Sequence, residues 1–152
     1  MLHFPALLRA GFAAGALALG LGACAHREPV EQERFHAVLD GAQQVPAVST
    51  AASGHAELHY TLRGQMLRWE IHHSSVNGPV TSGHIHGPGG PGQNADIVIP
   101  LSGRLENSPI RGQLRISPEQ YEQLRSGQWY VDLHTARHPQ GELRGQLRPA
   151  PL

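Results

Sequence analysis

Apolar and polar residues alternate in short runs from residue 34 onward, and this period of two predicts β-strands separated by turns. The segment HAELHYTL shows the pattern clearly, because every second residue from Ala56 to Leu62 is apolar. The runs predict about eight strands, at residues 34–40, 55–62, 65–73, 79–86, 96–101, 108–116, 128–135 and 142–147. Strands without alternating helices are typical of an all-β antiparallel sandwich.

The same alternation predicts which side chains face the core. Leu62 is expected inward at the end of the second strand, before a tight hairpin turn at Arg63-Gly64. In the sixth strand, Ile110, Leu114 and Ile116 share one face. The segments IRGQLRI (110–116) and LRGQLRP (143–149) are nearly identical. We interpret them as strands in similar sandwich positions, each with a glycine where backbones pack closely.

One short helix is predicted within SPEQYEQLRSG, residues 117–127. Ser117 is a suitable N-cap, Pro118 occupies the first helical position, and Gln120 completes a capping box. Gly127 is the expected stop just past the C-terminal end.

The N-terminal segment has a different composition and is not expected to join the sandwich. Arg9 precedes an uncharged stretch of small and apolar residues, which is typical of a secretory signal peptide and too short to span a membrane comfortably. The stretch ends in Leu21-Gly22-Ala23-Cys24, which resembles a bacterial lipobox. That resemblance implies removal of residues 1–23 and a lipid anchor such as palmitate on Cys24. The charged segment that follows contains proline and has no periodicity, so residues 24–33 are expected to be the lipidated N-terminus and a tether, before a folded domain at 34–150.

Since Ala25 is not an aspartate, the bacterial sorting pattern implies an outer-membrane lipoprotein that faces the periplasm or the cell surface. The expected partners are the membrane, through the lipid on Cys24, and an envelope protein. No nucleic-acid partner is expected, because 12 acidic and 12 basic residues balance to a formal charge of zero.

Histidines are the candidate chemical groups, because 11 occur in the chain whereas Cys24 is the only cysteine. If Cys24 carries lipid, disulfides, thiolate nucleophiles and cysteine-based metal sites are excluded. In SGHIHGPGGPG, His84 and His86 are spaced to point to the same face of a strand, with Ile85 turned to the core. Two imidazoles at that spacing can converge on one metal ion, although outward histidines are also common on ordinary strands.

A later strand supplies a third imidazole. In WYVDLHT, Trp129, Val131 and Leu133 form one face, and His134 lies on the other. His138 in the adjoining loop is a weaker fourth candidate. Several histidines without a thiol suit Cu(II), which the Irving–Williams order favours, with Zn(II) as the alternative.

A second group of histidines is expected on the hairpin that turns at Arg63-Gly64, and it would form at most a weak metal patch. Its members are His55, His59, His72 and His73. No nucleophile elbow or phosphate-binding loop is found. Carboxylates at Asp40, Asp96, Asp132 and Glu142 are each explained by a turn or an outer strand face, so no catalytic residue is assigned.

Three motifs in order resemble the CHRD (chordin-type) domain: LDGAQQVP, GHIHGPGGPGQNADIVIPL and SGQWYVDLHTARHPQGELRGQL. The resemblance covers about residues 34–148. It implies an immunoglobulin-like antiparallel sandwich of the kind found in chordin, an extracellular antagonist of growth-factor ligands, and in secreted bacterial proteins.

More distantly, the pattern is similar to copper/zinc superoxide dismutase, in which an H-x-H strand and a later strand-end histidine hold copper. By position, this resemblance implies His84, His86 and His134 as copper ligands and Arg144 as an anion guide. The chain departs from the dismutase pattern because no histidine lies between His86 and His134 for a zinc loop. A disulfide is impossible as well.

Three functions are compatible with these observations. The first is a lipid-anchored periplasmic protein that stores or delivers copper. The second is a metal-free module that binds an envelope protein or polymer through its loops or sheet edge. The third is a copper-only, dismutase-like enzyme. It is the least favoured, because it needs an open copper position and a cationic guide for the anion, for which only Arg144, Arg137 and Arg111 are available.

Overall fold

Nine strands form two antiparallel sheets in the computed structural model, which describes Met1 and residues 32–150. The elements are β1 (Gln32–Leu39), β2 (Ser53–Thr61), β3 (Met66–Ser74), β4 (Val80–His86), β5 (Ile97–Pro100), β6 (Ile110–Arg115), α1 (Pro118–Arg125), β7 (Tyr130–Thr135), β8 (Leu143–Gln146) and β9 (Arg148–Pro149). The predicted all-β sandwich with one short helix is therefore confirmed. The two-residue β9 was not predicted, and β1 begins within the segment expected to be tether.

The predicted signal peptide, Cys24 and the tether up to residue 31 lie outside the described residues. Within the described residues, no helix is both long and apolar enough to cross a membrane.

The sheets are joined along one side. The five-stranded sheet has the order β6-β3-β2-β1-β9, and the four-stranded sheet has the order β5-β4-β7-β8. The chain passes from β8 in one sheet to β9 in the other at Leu147, which is fully buried at this corner. Asp40 and Arg144 exchange backbone hydrogen bonds of 3.1 and 3.0 Å, which tie the end of β1 to β8.

The helix closes one end of the core in the way its sequence predicts. The Ser117 side chain accepts a hydrogen bond from the Gln120 amide at 3.2 Å, and the Gln120 side chain accepts one from the Ser117 amide at 2.9 Å. Gly127 follows the helix with φ of +70°, a conformation that glycine adopts without strain. Tyr121 stacks on Tyr60 with ring centroids 4.3 Å apart, so the helix packs on the five-stranded sheet.

Two inward predictions are wrong. Leu62 is 39 % exposed because the hairpin turn spans residues 62–65, with Gln65 at φ +50°, so Leu62 belongs to the turn and not to β2. Leu114 is 46 % exposed although it shares a face with the buried Ile110. It lies on β6, an edge strand that pairs only with β3 among the described strands, and no neighbour covers its outer side.

The repeated glycines do allow close packing. A Cβ atom on Gly112 would lie 2.3 Å from the Trp69 ring, and one on Gly145 would lie 2.5 Å from the Val38 carbonyl oxygen. Gly112 thus makes room for a side chain, whereas Gly145 allows β8 to approach the backbone of β1. The contact at Gly145 is the less adaptable one, because a backbone carbonyl within a sheet cannot move away alone.

A buried carboxylate holds three separate segments together. Glu142, which directly precedes β8, is fully buried and accepts hydrogen bonds from the hydroxyls of Thr50 and Thr135, both at 2.6 Å. It also accepts bonds from the backbone and side-chain amides of Asn77. Burial by itself raises the pKa of Glu142, but the hydrogen bonds outweigh it and lower the pKa to about 2.

The replacement Gly145→Ala is expected to lower the free energy of unfolding by about 1–3 kcal/mol, because the new methyl group overlaps the β1 backbone. Chemical denaturation measures the change. Gly64→Ala is the matched control, since the nearest atom to a Cβ at Gly64 is 3.9 Å away. Equal stability of the two variants would show that β8 does not depend on this close approach.

Glu142 is expected to make stability fall with acidification. Because its folded pKa is lower than the unfolded value near 4.5, its contribution is present above pH 4.5 and is lost as pH falls toward 2. Glu142→Gln should remove this acid-sensitive contribution, roughly 3 kcal/mol at neutral pH. Unfolding curves from pH 7 down to the acid range measure it, with the exposed Glu106→Gln as control. An unchanged acid dependence in Glu142→Gln would contradict the assignment.

Candidate metal centre

Strands β4 and β7 lie side by side and bring the predicted histidines together. Their antiparallel register places His84 opposite Asp132 and Ser82 opposite His134. Alternation turns Ile85 into the core, where it is fully buried, and turns His84 and His86 to the outer face. Asp132 and His134 occupy the same face on β7, so all four polar side chains meet on one side of the four-stranded sheet.

The Asp132 carboxylate lies at the centre of this group. Its Oδ1 atom is 3.3 Å from His84 Nδ1 and 3.2 Å from His86 Nε2, and its Oδ2 atom is 2.9 Å from His134 Nε2. The His84 ring meets the other two edge-on, with centroids 5.4 Å from His86 and 5.1 Å from His134. Asp132 is only 6 % exposed. One buried carboxylate is thus shared by three imidazoles.

The remaining ring nitrogens show which atoms face the centre. Nδ1 of His86 donates to the Ala95 carbonyl at 2.8 Å, and Nδ1 of His134 donates to the Pro139 carbonyl at 3.0 Å. Since a carbonyl oxygen only accepts, both Nδ1 atoms must carry a proton. Each Nε2 then faces a carboxylate, which also only accepts. A second proton on each ring, or a cation between the imidazoles and the carboxylate, satisfies this arrangement.

Electrostatics reflect the shared carboxylate. Burial raises the pKa of Asp132, but hydrogen bonds from His134 and His86 outweigh it and hold the pKa well below its usual range. The hydrogen bond to Asp132 raises the pKa of His134. For His86, burial lowers the pKa, yet the contacts with Asp132 leave it raised overall. Burial lowers the pKa of His84, the ring most easily left neutral.

The loop at residues 87–96 folds back beside the site, where Ala95 contacts His86, and Arg144 holds the loop there. Arg144 donates to the Gln93 carbonyl at 2.6 Å and to the Asn94 side chain at 3.1 Å. Its guanidinium carbon lies 3.5 Å from the centre of the Tyr130 ring. His86, on β4, stacks on the same ring with ring centroids 4.8 Å apart. Arg144 is 2 % exposed and faces loop carbonyls. It therefore positions the loop that orients His86 and has no exposed charge to attract an anion, in contrast to the guide implied by the dismutase resemblance.

His138 is not part of the centre. It is partly buried in the turn between β7 and β8, and its backbone pairs with Thr135. Among the described residues, no hydrogen bond links its ring to the cluster.

The second group of histidines does not converge. His55 and His72 stack with ring centroids 4.4 Å apart and nearly parallel planes. His59 instead lies opposite Arg68, four residues further along β2. His73 faces the other side of β3, where its ring donates to the Leu105 carbonyl at 3.1 Å. Of these four histidines, only His55 and His72 contact each other, and their rings stack face to face and do not converge on one metal position.

Asp132 is the site residue that sequence reasoning assigned to an outer strand face and set aside. Its spacing of two from His134 places both on one face of β7, just as His84 and His86 share one face of β4. With the carboxylate included, one ligand atom each of His84, His86 and Asp132 lies within 4.8 Å of the others. Two imidazoles and one carboxylate are a common ligand set for divalent transition metals in proteins.

Comparison with known proteins identifies one relationship. The family model described as the CHRD domain matches residues 35–147, which is most of the chain and includes every residue of the centre. The chain has no significant match among curated proteins or solved structures.

Replacing the shared carboxylate should lower the pKa of its imidazole partners. In metal-free protein, Asp132→Asn keeps the shape of the side chain but removes the charge, so burial should dominate and the pKa of His86 and His134 should fall. The raised values in the unsubstituted protein contribute stability below pH 6.5, which is lost as pH rises through the folded pKa. NMR titration of the ring resonances in the presence of a chelator measures the two pKa values, and unfolding curves over the same pH range measure the stability.

The exposed Asp96→Asn is the control for this titration, because Asp96 lies at the end of the loop at residues 87–96. A His134 titration curve that is the same in Asp132→Asn and in the unsubstituted protein would show that the carboxylate does not govern the cluster.

Proposed function

The chain belongs to the CHRD domain family, and we propose that it binds one divalent transition-metal ion, Cu(II) or Zn(II), on the outer face of its four-stranded sheet. His84, His86 and Asp132 would hold the ion, with His134 as a fourth ligand or as the group that orients Asp132. The observation that supports this proposal is the convergence of the three ligand atoms within 4.8 Å on a buried carboxylate.

The chemistry of the ligands supports the choice of metal. Imidazole nitrogens with one carboxylate oxygen suit Cu(II) and Zn(II), whereas thiolates and thioethers, which favour Cu(I), do not occur in the centre. The Irving–Williams order favours copper over zinc when both ions are present. Copper is therefore the first candidate and zinc the alternative.

The surrounding hydrogen bonds specify which nitrogens would bind. His86 and His134 donate through Nδ1 to backbone carbonyls, which leaves Nε2 of each ring free for a metal. His84 faces Asp132 through Nδ1, so this ring would bind the metal through Nδ1 instead of Nε2. Because the metal would replace protons on the rings, its affinity should fall as the pH is lowered.

We further propose a location outside the cytoplasm for this metal site. Support comes from the predicted signal peptide and lipobox, through which a lipid on Cys24 would attach the domain to the outer membrane. Storage of copper, or its delivery to an envelope protein, fits a binding site that lies beside a membrane. The buried Arg144 gives no support to a dismutase-like enzyme, since such an enzyme needs an accessible cation to attract the anionic substrate.

Metal titration tests the proposal directly. Residues 27–152 contain both sheets and lack His26, so no chelate of a terminal amine with a nearby histidine competes. Calorimetric titration with Cu(II) or Zn(II) should show one tight equivalent. Affinity should fall at least about a hundredfold in the double variant His84→Ala/His86→Ala, because two ligands are lost.

His55→Ala/His72→Ala is the matched control, because it also removes two neighbouring imidazoles from paired strands. The control should keep the tight equivalent, as should His138→Ala. Tight binding that survives in His84→Ala/His86→Ala, or that is lost in the control, would refute the site. The absence of any tight equivalent would favour the metal-free binding module.

A further inference from the structure

The exposed face of the five-stranded sheet has an uneven distribution of charge. Register pairs Arg34 with His59, His59 with Arg68 and Arg68 with Gln113 across four strands, so these side chains form one row on the outer surface. A second row runs through His36, Glu57, Glu70 and Arg111 in the same way. From here on, the outer face means this surface of the five-stranded sheet, which is distinct from the side of the four-stranded sheet that carries the metal centre. Its arginines are Arg34, Arg68, Arg111, Arg115 and Arg148.

Positive charge is concentrated on this face although the domain as a whole is neutral. Residues 32–150 contain ten arginines and ten acidic residues, and five of the arginines but only two of the acids lie on the outer face. The face therefore has an excess of about three positive charges with histidine taken as neutral, and the rest of the domain has the opposite excess. Four histidines lie among the arginines and add further hydrogen-bond donors: His36, His55, His59 and His72.

The two acids do not neutralise most of the arginines. Glu70 is occupied by Arg111, which contacts it through two nitrogens at 2.7 and 3.1 Å, and by His72 at 3.1 Å. Glu57 lies directly opposite Glu70, where like charges repel. Among the described residues, no salt bridge involves Arg34, Arg68, Arg115 or Arg148. Arg68 donates from Nε to the Gln113 side chain at 3.0 Å, which leaves its terminal nitrogens. Four exposed guanidinium groups thus still offer donors to an external anion.

We propose that the outer face docks on the anionic headgroups of a phospholipid membrane. A row of guanidinium groups on an extended sheet matches a plane of phosphates, and arginine binds phosphate with paired hydrogen bonds. The position of the predicted lipid agrees with this orientation, because Cys24 lies eight residues before Gln32, the first residue of a strand in this sheet. The metal centre lies on the other sheet and would then face away from the membrane.

A single-stranded nucleic acid is a poorer fit to the same charges. Binding of single strands uses exposed aromatic side chains as stacking platforms, and the outer face has none of the tyrosines or tryptophans of the described residues. The aromatic residues Phe35, Tyr60 and Trp69 in these strands point into the core. The lack of exposed tyrosine and tryptophan on this face counts against a single strand, whereas binding to phosphate headgroups needs no stacking side chain.

Vesicle sedimentation tests the docking without the lipid anchor. Residues 27–152 include the entire core described above, so this soluble form is the protein to use. It should sediment with vesicles of mixed phosphatidylglycerol and phosphatidylcholine and remain in solution with pure phosphatidylcholine. The triple variant Arg34→Gln/Arg68→Gln/Arg115→Gln should bind the anionic vesicles at least about tenfold more weakly.

The matched control removes three exposed arginines elsewhere, Arg104→Gln/Arg125→Gln/Arg137→Gln, and so changes net charge by the same amount. Retained binding in this control supports docking through the outer face. An equal loss in both triple variants, or equal sedimentation with neutral and anionic vesicles, would overturn the proposal. Neither result depends on the metal, so failure here is distinct from failure of the metal site.

Discussion

The antiparallel register of β4 with β7 is the constraint on which the candidate site depends. It sets His84 opposite Asp132 and thereby gathers three imidazoles around one carboxylate. A slip of one residue in either strand would turn its polar groups toward the core and its apolar residues outward. Burial of Ile85, Val131 and Leu133 on the inner face opposes such a slip, because all three are fully buried. The hydrophobic core thus maintains the geometry of the polar site on the opposite face of the sheet.

Two buried carboxylates in the domain show how surroundings separate a structural role from a chemical one. Glu142 is surrounded by hydroxyl and amide donors, which keep their protons at any ordinary pH, so its hydrogen bonds are complete and it ties loops together. Asp132 is surrounded by imidazoles, whose protons exchange near neutral pH. A metal ion can take the place of those protons. For this reason the proposed metal ligand is Asp132 and not Glu142.

Local pattern was sufficient to predict much of this structure. Alternation located the strands and the outward direction of His84 and His86, and the capping residues from Ser117 to Gly127 located the helix. Long-range pairing was not predictable in the same way. The central role of Asp132 depends on which strand lies beside β7, and the burial of Arg144 depends on a loop that folds back over the sheet. The exposure of Leu114 follows from the edge position of β6, which alternation within one strand does not reveal.

In the proposed site, His84 and His86 would present different nitrogens to one ion beside Asp132. Two-dimensional NMR of the ring nitrogens, recorded as Zn(II) is added to one equivalent, tests it most directly. Zinc should shift the resonances of Nδ1 of His84 and Nε2 of His86, while the rings of His55 and His72 keep their resonances. Zinc-induced shifts confined to His55 and His72, or the absence of any shift at His84 and His86, would contradict it.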